Sequence, residues 1–377
     1  MLKKPQRISV CEPLLGSKEE QYVLECLRDN WISSNGKFIG QFETAFSAYC
    51  GQKYGIGVCN GTVALHLALA ALDVGPGDEV IMPTFTIAST AFAAIYCGAK
   101  PVFVDVQQDT WNMDPAKIEA KITKKTKVIM PVHMYGHPCD MEAIMRVARK
   151  YRLYVVEDAA ETHGAQYRGQ KVGSFGDIAC FSFYSNKIIT CGEGGMVVTR
   201  NTKLAEKCQR LKNLAFLKER RFLHKEIGFN YRMTNIQAAL GLAQFERIEE
   251  MIESRRRNAA AYRSLLADVS WLEHPVERSG CLNVYWMYGL LVDKRFGMKR
   301  DALMKALQAR GVETRTFFIP MHQQPILQKL GHVSKKDKYP IADDIAARGL
   351  YLPSGSGLKR AEIAYVCDCL KALARKA

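Results

Sequence analysis

A chain of 377 residues, 48% hydrophobic and 24% charged, has the composition of an ordinary globular protein and the length for a large domain with a smaller companion. No run of about 18 apolar residues is present to cross a bilayer, and the basic N-terminus from Met1 to Arg7 lacks the apolar stretch and cleavage site of a secretory signal, so a soluble, cytoplasmic protein is expected. Lys and Arg number 53 against 38 acids, a formal +15 that favours polyanions, yet the charges are scattered, with short clusters at Lys121 to Lys125 and Lys218 to Arg221. Neither a helix-turn-helix nor aromatic-basic interleaving is present, so no nucleic-acid partner and no membrane partner are expected. Twelve cysteines, spread from Cys11 to Cys369 in mostly apolar surroundings, read as reduced packing residues.

From about residue 54, short apolar runs alternate with helical stretches, the rhythm of an α/β fold. Strands are expected at Gly55 to Cys59, Glu79 to Met82, Pro101 to Val104, Val128 to Val132, Leu153 to Val156 and Ala179 to Phe183. Their near-continuous hydrophobicity suits a mostly parallel sheet covered on both faces. Between them, Ala64 to Leu72 and Met141 to Ala148 carry apolar residues at the spacing that lays one helix face on a sheet. After Thr234 a single long helix is predicted from about Asn235 to Leu265, followed by strands at Trp286 to Val292 and Glu313 to Phe318 and a last helix from Arg360. The expected division is a large domain over 12–245 and a smaller C-terminal α/β domain over 246–377, joined by an N-terminal arm, 1–11.

Three segments stand where an α/β protein binds ligands. Asn60-Gly61-Thr62 lies between a strand and a helix, where backbone amides favour a phosphate; taken alone it reads more readily as an ordinary N-cap. Asp158 ends an apolar run and so sits at the C-terminal edge of the sheet, able to hold a pyridinium proton or simply to cap the next segment. Glu161 and His163 follow on the same loop. Lys187 is the one cation in Phe181-Ser-Phe-Tyr-Ser-Asn-Lys-Ile-Ile-Thr-Cys-Gly-Glu-Gly-Gly-Met, a setting that suits a buried amine of lowered pKa, as Schiff-base chemistry needs; most lysines in so basic a chain are surface residues. His133 and His137 have metal-ligand spacing but lack further ligands, so no metal is expected. Cys367 and Cys369 read as part of a packed helix. No Walker loop or dinucleotide fingerprint occurs.

Taken together, Asn60-Gly-Thr, Glu157-Asp-Ala-Ala-Glu-Thr-His-Gly-Ala and the Lys187 stretch resemble the fold-type I nucleotide-sugar aminotransferases dependent on pyridoxal phosphate. Trp31-Ile-Ser-Ser, Pro131-Val-His-Met-Tyr-Gly-His-Pro, Asn230-Tyr-Arg-Met-Thr-Asn and Phe318-Ile-Pro-Met-His extend the likeness over nearly the whole chain. The resemblance implies that Lys187 carries the cofactor, that Asp158 pairs with its ring nitrogen, and that Asn60, Gly61, Thr62 and Ser182 hold its phosphate. It places Glu161 beside the ring and implies a homodimer in which Asn230 serves the neighbouring subunit. Ile87 stands where relatives often have a stacking aromatic, a departure that leaves the cover of the ring open. Substrate contacts are implied for Trp31, Ser33, Ser34, Arg315 and His322. The implied acceptor is a nucleotide-linked 4-keto-6-deoxy sugar, GDP-4-keto-6-deoxymannose first, with glutamate as donor and a place in O-antigen and lipopolysaccharide biosynthesis. Relatives that aminate C3 or use UDP- or dTDP-sugars share these residues. A sugar dehydratase of the same fold would have histidine in place of Lys187, and a regulatory protein without turnover would not need Lys187 and Asp158.

Overall fold

The computed structural model describes residues 7–374 apart from 218 and 221, so residues 1–6 of the N-terminal arm, the C-terminal residues 375–377, and Lys218 and Arg221 of the second basic cluster lie outside the described residues. Seven strands form the main sheet: β1 (Tyr54–Val58), β2 (Glu79–Pro83), β3 (Lys100–Val104), β4 (Thr126–Ile129), β5 (Tyr154–Asp158), β6 (Ile178–Ser182) and β7 (Gly195–Thr199), in the order β1-β7-β6-β5-β4-β2-β3. All run parallel except β7, which returns antiparallel between β1 and β6. The six predicted strands are present. The seventh, β7, is one that the strand reading omitted: its five residues are all buried, as in a strand covered on both faces, but they follow the glycine-rich turn and were read only as part of a motif.

Helices cover the sheet and set what lies at its edges. They are α1 (Ser17–Arg28), α2 (Lys37–Tyr49), α3 (Gly61–Ala71), α4 (Ala88–Tyr96), α5 (Met141–Tyr151), α6 (Thr202–Leu211), α7 (Asn235–Phe245), α8 (Ile248–Leu265), α9 (Arg300–Gln308), α10 (Pro325–Lys329), α11 (Pro340–Arg348) and α12 (Arg360–Ala374). α3 is apolar nearly all round and packs on β6 and β7, so its N-terminus is fixed against the ends of the central strands.

The single helix predicted over 235–265 is in fact two, α7 and α8, with the break at Glu246 and Arg247. No proline or glycine marks it. Arg247 leaves helical geometry at φ −116° and ψ 17°, and its guanidinium reaches the Leu14 carbonyl at 3.0 Å, while Gln244 donates to the same carbonyl. The turn is therefore held by contacts with a segment more than 200 residues away in sequence.

A second, four-stranded antiparallel sheet follows the order β8 (Leu272–Glu273), β9 (Tyr288–Val292), β11 (Gly349–Leu352), β10 (Arg315–Thr316). The strand expected over Glu313 to Phe318 shrinks to the two residues of β10, because only Arg315 and Thr316 pair with β11 at this open edge. The apolar residues divide within α8: Ile248, Met251 and Ile252 belong to the core of the main sheet, whereas Ala259 and Tyr262 join the cluster around the smaller one. Ile8 joins that smaller cluster too, pairing beside Val312. Cys367 and Cys369 are buried in α12, and all twelve cysteines are free thiols. Among the described residues, no helix is long and apolar enough to cross a membrane.

Candidate active site

In a parallel sheet the strands end together, so loops leaving β1, β2, β5 and β6 converge on one edge. Strand alternation then sorts the two adjacent carboxylates of β5 to opposite faces. Glu157 turns to one side, where it accepts the amides of Gly173, Phe175 and Gly176 at 2.8–2.9 Å and meets His133 Nε2 at 3.2 Å. It is a buried structural brace. Asp158 turns to the other side, 2% exposed, and accepts the Thr90 hydroxyl at 2.9 Å and the Ala160 amide at 3.3 Å. Because Thr90 spends its proton on Asp158, the Thr86 hydroxyl 2.9 Å away donates to Thr90. Burial raises the Asp158 pKa, while Thr90, the Ala160 amide and the charge of Lys187 oppose that rise.

Lys187 stands in the loop between β6 and β7, which is folded back by Cys191 N–H and Thr190 Oγ1 on the Phe183 carbonyl. The residue is half-buried, and its amine lies 3.7 Å from the centroid of the Trp286 ring. Burial lowers its pKa, opposed by the nearby carboxylates of Glu161 and Asp158. Glu161, itself buried, accepts the Tyr135 amide at 2.8 Å, and burial pushes its carboxyl up to about 7. His163 packs among Phe46, Phe181 and Phe183 with both ring nitrogens unpartnered, and burial together with Lys187 holds its pKa down at about 3.

The third part is at the start of α3. Asn60 caps the helix by accepting the Val63 amide at 3.0 Å, leaving the first amides, those of Gly61 and Thr62, without helical acceptors. Ser182 ends β6 directly against them: a Cβ on Gly61 would lie 2.6 Å from its Cβ and 3.0 Å from its Oγ. The Thr62 hydroxyl reaches Ser89 Oγ, at the start of α4, at 2.9 Å. Amides, three hydroxyls and two helix N-termini make a cradle for a dianion.

The other predicted residues lie differently. Ile87 is the N-cap of α4 and 46% exposed, with no aromatic in its place. Trp31 is 54% exposed; its carbonyl and that of Ser33 accept from Asn235. Ser34 lines a cavity of about 480 Å³ with Asn35, Glu43, Lys212, Asn213 and Arg232, and the exposed Asn230 is bridged to Asn213 beside it. Arg315 is engaged by Glu313. His322 is buried with both ring nitrogens occupied, Nδ1 with Thr84 Oγ1 and Nε2 with Asp343, each at 2.8 Å. His133 and His137 are likewise taken up in hydrogen bonds, to Glu157 and the Cys139 amide in the first case and to the Arg278 amide in the second.

Sequence reasoning missed Thr90, Ser89, Trp286 and Arg255. The hydroxyl-rich run from Thr84 to Thr90, spanning a strand end and a helix start, was the available signal for the first two. Arg255 occupies the buried stripe of α8 between Met251 and Tyr262, where an apolar residue belongs; it donates to the carbonyls of Trp286, Ser354 and Lys187. Trp286 precedes an aliphatic strand, and nothing in its spacing pointed at Lys187.

A cradle for phosphate, a buried carboxylate and a desolvated amine on one sheet edge fit pyridoxal phosphate at its phosphate, its ring nitrogen and its aldehyde. Fold and site thus define a pyridoxal-phosphate-dependent aminotransferase. Residues 13–371 match the DegT/DnrJ/EryC1/StrS aminotransferase family, and the chain belongs to it. It is 48% identical over 97% of its length to GDP-perosamine synthase of Caulobacter vibrioides, covering 97% of that protein. It is 44% identical over 96% of its length to GDP-perosamine synthase of Escherichia coli O157:H7, covering 97% of it. Among solved structures, the putative sugar aminotransferase Spr1654 of Streptococcus pneumoniae in its PMP form superposes with a TM-score of 0.92 at 28% identity over 98% of both chains.

Proposed function

We propose that this enzyme aminates a nucleotide-linked 4-keto-6-deoxy sugar, taking GDP-4-keto-6-deoxymannose to GDP-perosamine with glutamate as amino donor. What supports the reading is the near-full-length likeness to proteins named GDP-perosamine synthase, together with Lys187 beside Asp158 and the α3 cradle. The bound cofactor supplies an electron sink for a carbanion-like centre. Lys187 would tether it, and its amine, whose pKa burial lowers, would be the base that moves a proton to and from the substrate carbon. Asp158, oriented by Thr90, would keep the ring nitrogen protonated. A cation beside this carboxylate offsets the desolvation that otherwise favours its neutral form. Asn60, Gly61, Thr62 and Ser182 would hold the phosphate, with Glu161 beside the ring and Ile87 at the position where relatives often carry a stacking aromatic.

We further propose a homodimer in which the exposed Asn230 completes the phosphate site of the partner, with Trp31, Ser33 and Ser34 at the substrate mouth. Arg315 would meet the nucleotide diphosphate by exchanging Glu313 for phosphate. For His322, whose ring is tied between Thr84 and Asp343, a supporting role replaces direct contact. The smaller domain is proposed to span 246–377, starting at the break between α7 and α8, just ahead of the point in α8 where the apolar clusters divide, and residence is proposed to be cytoplasmic. The test is an assay of the purified protein with pyridoxal phosphate, glutamate and a panel of nucleotide-linked keto-sugars, with products identified by mass. Turnover of GDP-4-keto-6-deoxymannose alone supports the reading; turnover restricted to a 3-keto sugar, or none on any sugar, overturns it.

A further inference from the structure

Trp286 touches Lys187 in more than one way. Its ring lies 3.7 Å from the amine, its indole N–H donates to the carbonyl of Asn186, the preceding residue, at 2.8 Å, and its own carbonyl accepts Arg255 Nη1 at 2.6 Å. Arg255 closes the ring of contacts by donating to the Lys187 carbonyl at 3.4 Å. Trp286 is 3% exposed, so its rotamer is held by packing as well as by these bonds. The indole therefore cannot drift from the amine without breaking bonds to the lysine's own loop.

We propose that Trp286 is a positioning residue for catalysis, whose indole face holds the Lys187 amine in place and supports its ammonium form during proton transfer. The chemistry requires both forms of this amine: neutral to accept a proton, charged immediately afterwards. Burial disfavours the charged form, and the Glu161 and Asp158 carboxylates offset this from positions fixed by other partners, Asp158 by Thr90 and Glu161 by the Tyr135 amide. An aromatic face attracts a cation through its quadrupole, most strongly when both are desolvated, and needs no proton of its own. It can stabilise the ammonium without competing for the proton.

This inference rests on Lys187 being the tether, which K187A tests separately through loss of the cofactor chromophore. The experiment uses the full-length protein loaded with pyridoxamine phosphate, in which the lysine is free. Tryptophan is replaced biosynthetically by mono- to tetrafluorotryptophan, which drains the π face while keeping the indole N–H and nearly the same shape. The titration of Lys187 is read by trace acetic anhydride labelling across pH, quantified on the peptide that contains it. The midpoint is expected to fall stepwise with fluorination, by about one unit at four fluorines. The same series in W286F, which contains only the three other tryptophans, is expected to give no response. A midpoint unchanged across the series, or an equal shift in the W286F background, overturns the proposal.

Discussion

Replacing Gly61 by alanine tests the phosphate cradle at its narrowest point. Judged on helix propensity alone, alanine at this position is favourable by up to about 1 kcal/mol. Packing reverses the sign. The new Cβ would fall 2.6 Å from Ser182 Cβ, inside any real contact distance. Ser182 cannot retreat, because it is paired with Gly195 in the sheet, and Gly195 is itself pressed against the Asn60 carbonyl, where a Cβ would meet oxygen at 2.4 Å. The start of α3 must therefore tilt away, separating its amides from the Ser182 hydroxyl. Loss of one hydrogen bond to a charged phosphate costs about 1.5–3 kcal/mol, so pyridoxal phosphate should bind roughly ten- to a hundred-fold more weakly. The assay is titration of apoprotein with the cofactor, followed by its visible absorbance, beside Gly75→Ala as control, since a Cβ there meets nothing within 4 Å. Equal affinity in the two variants would refute the cradle.

Lys187→Ala should abolish both the bound chromophore and turnover while far-ultraviolet circular dichroism stays unchanged; survival of either activity would disprove its assigned role. Asp158→Asn should keep the cofactor bound but lower kcat by orders of magnitude, because an amide accepting from Thr90 cannot hold a protonated ring nitrogen; near-normal kcat would defeat the assignment. His163, neutral when folded with its pKa at about 3, takes up a proton on unfolding below its ordinary value near 6.5. Its folded pKa is depressed, so the unfolded state binds more protons between those values and stability falls as pH drops through that window. His163→Phe should flatten the slope of denaturation midpoints between pH 6.5 and 4, and an unchanged slope would count against it. Sizing should give a dimer, and Asn230→Ala should weaken cofactor binding; an active monomer would contradict the shared site.

Local sequence was enough to specify the parts whose physics is local. Apolar runs of four or five residues declared six of the seven strands of the main sheet, since each is covered on both faces and tolerates few polar residues. The positions of Asp158 at a strand end and of Asn60 to Thr62 at a helix start were readable for the same reason: both follow from where an element stops. Two adjacent acids in the sequence did not reveal their different surroundings, although strand alternation alone already sends Glu157 and Asp158 to opposite faces. Only the tertiary structure showed what awaited them there, loop amides for one and Thr90 for the other. The break between α7 and α8 was invisible because it is set by Leu14, not by a helix-breaking residue. Trp286 came to Lys187 in the same way, from a segment 99 residues further along the chain, through contacts that no periodicity records. Sequence pattern thus tells which face or end a residue occupies, whereas the partner it meets depends on long-range packing.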